Sequence, residues 1–138
     1  MIVAWLLAVV LFGLCGVLHA RAMAFAMNFT DRNDIIGMHG LVVALYVLAT
    51  AHVAEAGLYA IGFILGEWIG IGGFEQENVN SVMDFFYFSV VNYTSLGLGD
   101  IYPTGHLRFL AGIEALNGFL LISCSASTIF LVTTRRNH

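Results

Sequence analysis

The chain has 138 residues, of which 59% are hydrophobic and only 10% charged. A soluble domain carries about 25% charged residues, so the composition excludes an ordinary soluble fold and gives a membrane protein of one domain. The formal net charge is -4 and the five basic residues are all Arg, scattered along the chain, which leaves no basic patch for nucleic acid.

The first apolar segment runs from Ile2 to about Ala20, close to the ~20 residues that span hydrocarbon. Leu18-His19-Ala20 and Ala20-Arg21-Ala22 look faintly like signal-peptidase sites, but no positive charge precedes the apolar run. A retained transmembrane helix is expected. Asn28 to Asp34 is a polar break that reads as a short loop. The second segment runs from about Ile36 to Leu65 and is long enough that it must tilt or project beyond the bilayer core. Glu67 to Asn80 reads as an acidic, Gly-rich loop.

Ser81 to Tyr93 is too short to span. Ser81-x-x-Asp84 predicts a capping box that starts a helix, which then carries the aromatic run Phe85 to Phe88. A short helix followed by irregular backbone is a re-entrant pattern, tolerated at membrane depth only inside protein or beside water. The last span runs from about Leu107 to Thr134 and is followed by Arg135 and Arg136. Cys15 and Cys124 lie in apolar segments and read as small buried residues, with no disulfide or metal-site spacing. Arg21 and Arg32, with Arg135 and Arg136, mark the cytoplasmic side by the positive-inside rule. The N-terminus and the re-entrant connection then lie outside, in a multi-pass protein of the cell (inner) membrane.

Thr94-Ser95-Leu96-Gly97-Leu98-Gly99-Asp100 is the most specific stretch. Glycine reaches left-handed backbone at little cost, and alternating handedness lets successive carbonyls point one way, as a dehydrated cation requires. The stretch resembles the potassium channel filter, usually written T-T-V-G-Y-G-D, with Leu98 in place of the Tyr. Met83 to Val91 resembles that family's pore helix, and Asp100-Ile101-Tyr102-Pro103 its filter exit. Arg108 with Gly118 ten residues later, and Glu114-Ala115-Leu116-Asn117-Gly118, resemble the inner helix of bacterial two-span members. Ile36 to Leu65 matches an outer helix in place and length.

The resemblance implies an all-α membrane protein with three transmembrane helices, a re-entrant pore helix and a selectivity filter. Residues 1–35 would be an added transmembrane helix with a cytoplasmic loop, and residues 36–134 the pore domain. One chain supplies one filter strand and a cation needs oxygens all round it, so a homotetramer in the lipid bilayer is expected. K⁺ would be the transported ion, held by backbone carbonyls from Ser95, Leu96, Gly97, Leu98 and Gly99 and by the Ser95 hydroxyl, with no organic cofactor and no enzymatic activity. The resemblance assigns filter support to Tyr87, Thr94 and Asp100, with Asp100 paired to Tyr87. Glu114 lies one turn before Gly118, where it either bonds Asn92 or Ser89 at the back of the pore helix as a further support or binds an ion. Gly118 would be the inner-helix hinge, with Phe119, Ile122 and Ala126 lining the pore. The C-terminal end of the pore helix, near Tyr93, would present partial negative charge to a cation.

Five of the nine acids fall between Glu67 and Asp100, namely Glu67, Glu75, Glu77, Asp84 and Asp100. They either gather monovalent cations at the mouth or simply solvate a loop. Ser123, Ser125, Ser127 and Thr128 give a wide, wet opening or close helix packing. His52 and Glu55 share one face of the second span. Both are costly at midplane unless paired or wet, so they form a proton-sensing pair or a fixed interhelical hydrogen bond. Three rival functions remain: a non-selective cation channel, a non-conducting regulatory subunit, and a haem-binding redox subunit suggested by the 13-residue spacing of His39 and His52.

Overall fold

The computed structural model describes residues 1–35, 37–75, 79 and 81–134. Four helices form: α1 (Ile2–Arg32), α2 (Gly37–Trp68), α3 (Val82–Tyr93) and α4 (Leu107–Thr134). Helices α1, α2 and α4 are long and apolar enough to cross a membrane. The expectations on Glu77, Arg135 and Arg136, and on Ile36 as the start of the second span, lie outside the described residues.

The first loop is shorter than the sequence suggests. Helix α1 continues 12 residues past Ala20, to Arg32. Ala20 to Met27 is rich in strong helix formers, and the Thr30 hydroxyl donates to the carbonyls of Ala26 and Met27, both at 2.9 Å. The helix ends in a Schellman turn. Asp34 takes the left-handed position at φ 50°. Its amide bonds Asp31 O, and that of Ile35 bonds Thr30 O at 3.0 Å. Asp tolerates this backbone because its short polar side chain adapts to it. The expected seven-residue loop is therefore a tight turn, which sets α1 against α2.

Helix α1 packs on α2 and α4, and α3 also packs on α2 and α4. Ala4, Ala8, Leu11, Cys15 and His19 form the buried stripe of α1. Leu11 lies so close to Gly62 that a side chain there would collide with it. Small residues bring apolar helices within van der Waals reach, which is what holds them where no hydrophobic drive exists. Phe74, projecting from the connection after α2, meets Phe85 at 5.4 Å and Phe88 at 5.1 Å, edge to face. Each such pair contributes about 0.5–1.5 kcal/mol beyond its buried area.

The 69–81 connection is less free than its composition suggests. Its first part pairs antiparallel with the segment leading into α4. Thr104 N bonds Gly73 O at 2.7 Å, Glu75 N bonds Tyr102 O at 3.0 Å and His106 N bonds Ile71 O at 2.8 Å. Gly105 sits at φ 57° with Gly72 pressed against it, a fit that leaves no room for a β-carbon. Trp5 stacks on Phe109 at 5.5 Å, so the chain's start lies at the same end of the bundle as this connection. Cys15 is buried as expected, but Cys124 is exposed, because it falls on the outward face of α4.

Candidate functional site

The site begins with the start of α3. Ser81 accepts from Asp84 N at 3.2 Å and the Asp84 carboxylate accepts from Ser81 N at 2.9 Å, the reciprocal capping box. That cap fixes where the helix starts, and its length then fixes where it stops. At the far end Ser95 N bonds Asn92 O at 2.9 Å and Leu96 N bonds Val91 O at 3.1 Å. This is a second Schellman turn, with Ser95 at φ 57° in the position usually taken by Gly.

Left-handed backbone therefore occurs at Ser95, Gly97 (φ 56°) and Gly99 (φ 75°). The glycine pattern accounts for the latter two. Ser95 is the addition, forced by the helix terminus. All residues from Thr94 to Asp100 are exposed in the single chain. The carbonyls of Val90, Val91 and Asn92 are already taken by the amides of Thr94, Leu96 and Ser95. The helix end thus keeps less free carbonyl charge than a bare terminus.

Behind this segment the structure brings together residues that sequence reasoning paired. The Tyr87 hydroxyl donates to Asp100 Oδ2 at 2.8 Å, and that bond holds the Tyr87 phenol above its ordinary pKa. Glu114 is fully buried. One of its carboxylate oxygens accepts from Ser89, and the other from Asn92 at 2.6 Å. Asn92 also donates to Ala111 O at 2.8 Å, and the single Ser89 hydroxyl proton is shared between Glu114 and Ala56 O, 2.6 Å away. Helix α3 is thereby fastened to α2 and α4 at once. Tyr87→Phe removes the one hydrogen bond that ties Asp100 back to α3. It should leave the fold intact and raise hydrogen exchange from Leu98 to Ile101, measured by mass spectrometry.

Gly118 touches the end of α3. A methyl group there would overlap the Tyr93 carbonyl and lie 3.0 Å from its ring. Phe119, Ile122 and Ala126 lie on an exposed face of α4. The small polar residues of α4 divide between the two readings. Ser125 and Thr128 are buried between helices, while Ser123 and Ser127 are exposed. Glu67 and Glu75 are exposed at the end of the bundle that carries the Thr94–Asp100 segment.

His52 and Glu55 do meet, at 3.3 Å, but they belong to a larger group. His19 from α1 contacts Glu55 Oε1 at 3.0 Å, and the Tyr93 hydroxyl donates to Glu55 Oε2 at 2.5 Å. Ser125 lies 2.9 Å from His52 Nε2 and 3.2 Å from His19 Nε2. The expected end of the first segment at about Ala20 leaves His19 at its edge, whereas α1 runs on to Arg32 and sets His19 well inside the helix. Its place on the Ala4–Ala8–Leu11–Cys15 packing stripe was the available signal. His39, the other residue of the haem reading, is exposed on α2 and takes no part in this group.

A family profile described as "Ion channel" matches residues 41–135. The chain belongs to this ion channel family. The match takes in α2, α3, the Thr94–Asp100 segment and α4, and leaves α1 outside it. Comparison with curated proteins and with solved structures gave no match. The protein is thus a multi-pass membrane channel and not an enzyme.

Proposed function

We propose that this channel conducts K⁺ through a homotetrameric pore, with the Thr94–Asp100 segments of four chains meeting on the axis. The observation that carries this is a segment held at both ends and covered by nothing. It is anchored by the Schellman turn before it and the Tyr87–Asp100 bond at its end, yet exposed at every residue from Thr94 to Asp100. Polar backbone at membrane depth needs protein or a water path around it, and three further copies supply both. Carbonyls of Ser95, Leu96, Gly97, Leu98 and Gly99, with the Ser95 hydroxyl, then replace the ion's hydration shell. Thr94, Asn92, Glu114, Tyr87 and Asp100 hold that strand. Phe119, Ile122 and Ala126 line the cavity and gate below it, and Gly118 is the inner-helix hinge. The N-terminus and the paired segments 71–75 and 102–106 face outside, and Arg32 at the end of α1 lies on the cytoplasmic side.

Reconstitution into liposomes under a K⁺ or a Na⁺ gradient tests this reading. Flux of K⁺ well above Na⁺ is expected. No flux of either ion would leave a non-conducting subunit, and equal flux a non-selective cation channel.

The non-selective reading has one observation of its own. Leu98 is 58% exposed and has no hydroxyl to anchor it, so the strand is held less firmly at that position. Leu98→Tyr should raise the K⁺/Na⁺ permeability ratio by several fold. An unchanged bi-ionic reversal potential would show that position 98 does not set selectivity.

A further inference from the structure

We propose that His19, His52, Glu55 and Tyr93 form an intramembrane binding site for a divalent transition metal of the zinc class. The proposal is independent of which ion the pore conducts. The donors come from α1, α2 and the last residue of α3. Both imidazoles turn Nδ1 towards the Glu55 carboxylate, at 3.0 Å for His19 and 3.3 Å for His52. The Tyr93 oxygen lies 2.5 Å from the same carboxylate and 3.0 Å from His52 Nδ1. Ligands on a tetrahedral zinc ion with bonds of about 2.0–2.1 Å stand about 3.3 Å apart. The His19–Glu55 and His52–Glu55 spacings are within about 0.3 Å of that, and the Tyr93–Glu55 contact must open by about 0.8 Å to admit an ion.

The ring of hydrogen bonds is one proton short when both imidazoles are neutral. Glu55, His19, Ser125, His52 and Tyr93 close a ring of five contacts in that order. Each contact requires one proton. With both imidazoles neutral and the carboxylate ionised, the ring owns four: one on each His, one on Tyr93 and one on Ser125. If Tyr93 and His19 donate to Glu55 and His52 donates to Tyr93, both Nε2 atoms are bare and Ser125 can serve only one. A metal on the two Nδ1 atoms removes this conflict. Both imidazoles then carry Nε2–H, and both donate to the two lone pairs of Ser125. That is the outer hydrogen-bonding pattern metal-bound His requires.

Imidazole and carboxylate donors suit zinc, cobalt or nickel better than Mg²⁺ or Ca²⁺. An entrance exists: His52 is 20% exposed and, with Ala49, Val53, Val90, Thr94 and Ile122, lines an apolar groove of about 280 Å³. A bound ion would tie α1, which lies outside the family match, to the residue that precedes Thr94.

The test uses the whole 138-residue chain in detergent, stripped with chelator and titrated with ZnCl₂ by calorimetry. One zinc per chain is expected, and Glu55→Gln and His52→Gln should each abolish it, while His106→Gln keeps it. Should those variants fail to fold, the wild-type chain loaded with Co²⁺ still decides. Intense four-coordinate d–d bands that ZnCl₂ displaces support the site. The pale spectrum of six-coordinate cobalt, or no stoichiometric zinc, overturns it and leaves the ring to be completed by an extra proton.

Discussion

Gly118→Ala should disable the protein, and through packing rather than through lost flexibility. The β-carbon would enter the space of the Tyr93 carbonyl and approach its ring. Backbone cannot rotate aside as a long side chain can, so α4 or the end of α3 must move. Overpacking of this kind costs about 1–3 kcal/mol, and here it displaces Tyr93, which lies inside the Schellman turn. Ion flux from liposomes should fall to background, with a lowered thermal midpoint. Gly112→Ala is the matched control. It lies on the same helix with nothing within 4 Å of its β position, so it should be neutral or stabilise by roughly 0.5–1 kcal/mol. If both variants behave alike, the close contact at Gly118 has no special weight.

Glu114→Ala should be the most damaging substitution of a polar side chain. It deletes the acceptor shared by Ser89 and Asn92 and leaves a void between α3 and α4. A lost buried network and its cavity together cost about 3 kcal/mol. Glu114→Gln should cost under about 1 kcal/mol. Its amide can donate to Ser89, which still donates to Ala56 O, while its carbonyl accepts from Asn92. Urea unfolding in micelles, followed by near-UV circular dichroism, separates the two. Equal loss in both would mean that the negative charge is needed, not the hydrogen bonds.

What the sequence made legible was local. Hydropathy marks the three spans, and Ser81 with Asp84 places the start of α3 to the residue. Gly97 and Gly99 mark backbone that no other residue adopts freely, and both have positive φ. The Tyr87–Asp100 pair was legible through a family resemblance, and the Glu114–Asn92 pair through the place of Glu114 one turn before Gly118. What stayed hidden depends on distance or on competition. His19 meets Glu55 across 36 positions, and no window of sequence contains both. The α1 terminus was misplaced because Asn28 to Asp34 looks polar, while the good helix formers before it carry the helix on to Arg32. Ser95 reads as a motif residue from its neighbours, yet its backbone is set by the helix ending beneath it.

The pairing of 71–75 with 102–106 has a consequence for how this end of the molecule moves. The amides of Glu75, Thr104 and His106 are tied into backbone bonds, and Leu107, the first residue of α4, is fully buried beside Gly72. The top of α2, the approach to α4 and α4 itself therefore form one cooperative unit, opening together or not at all. A displacement of α4 at its far end reaches the Ile101–Pro103 exit as the tilt of a rigid collar. Slack in a loop would have absorbed it.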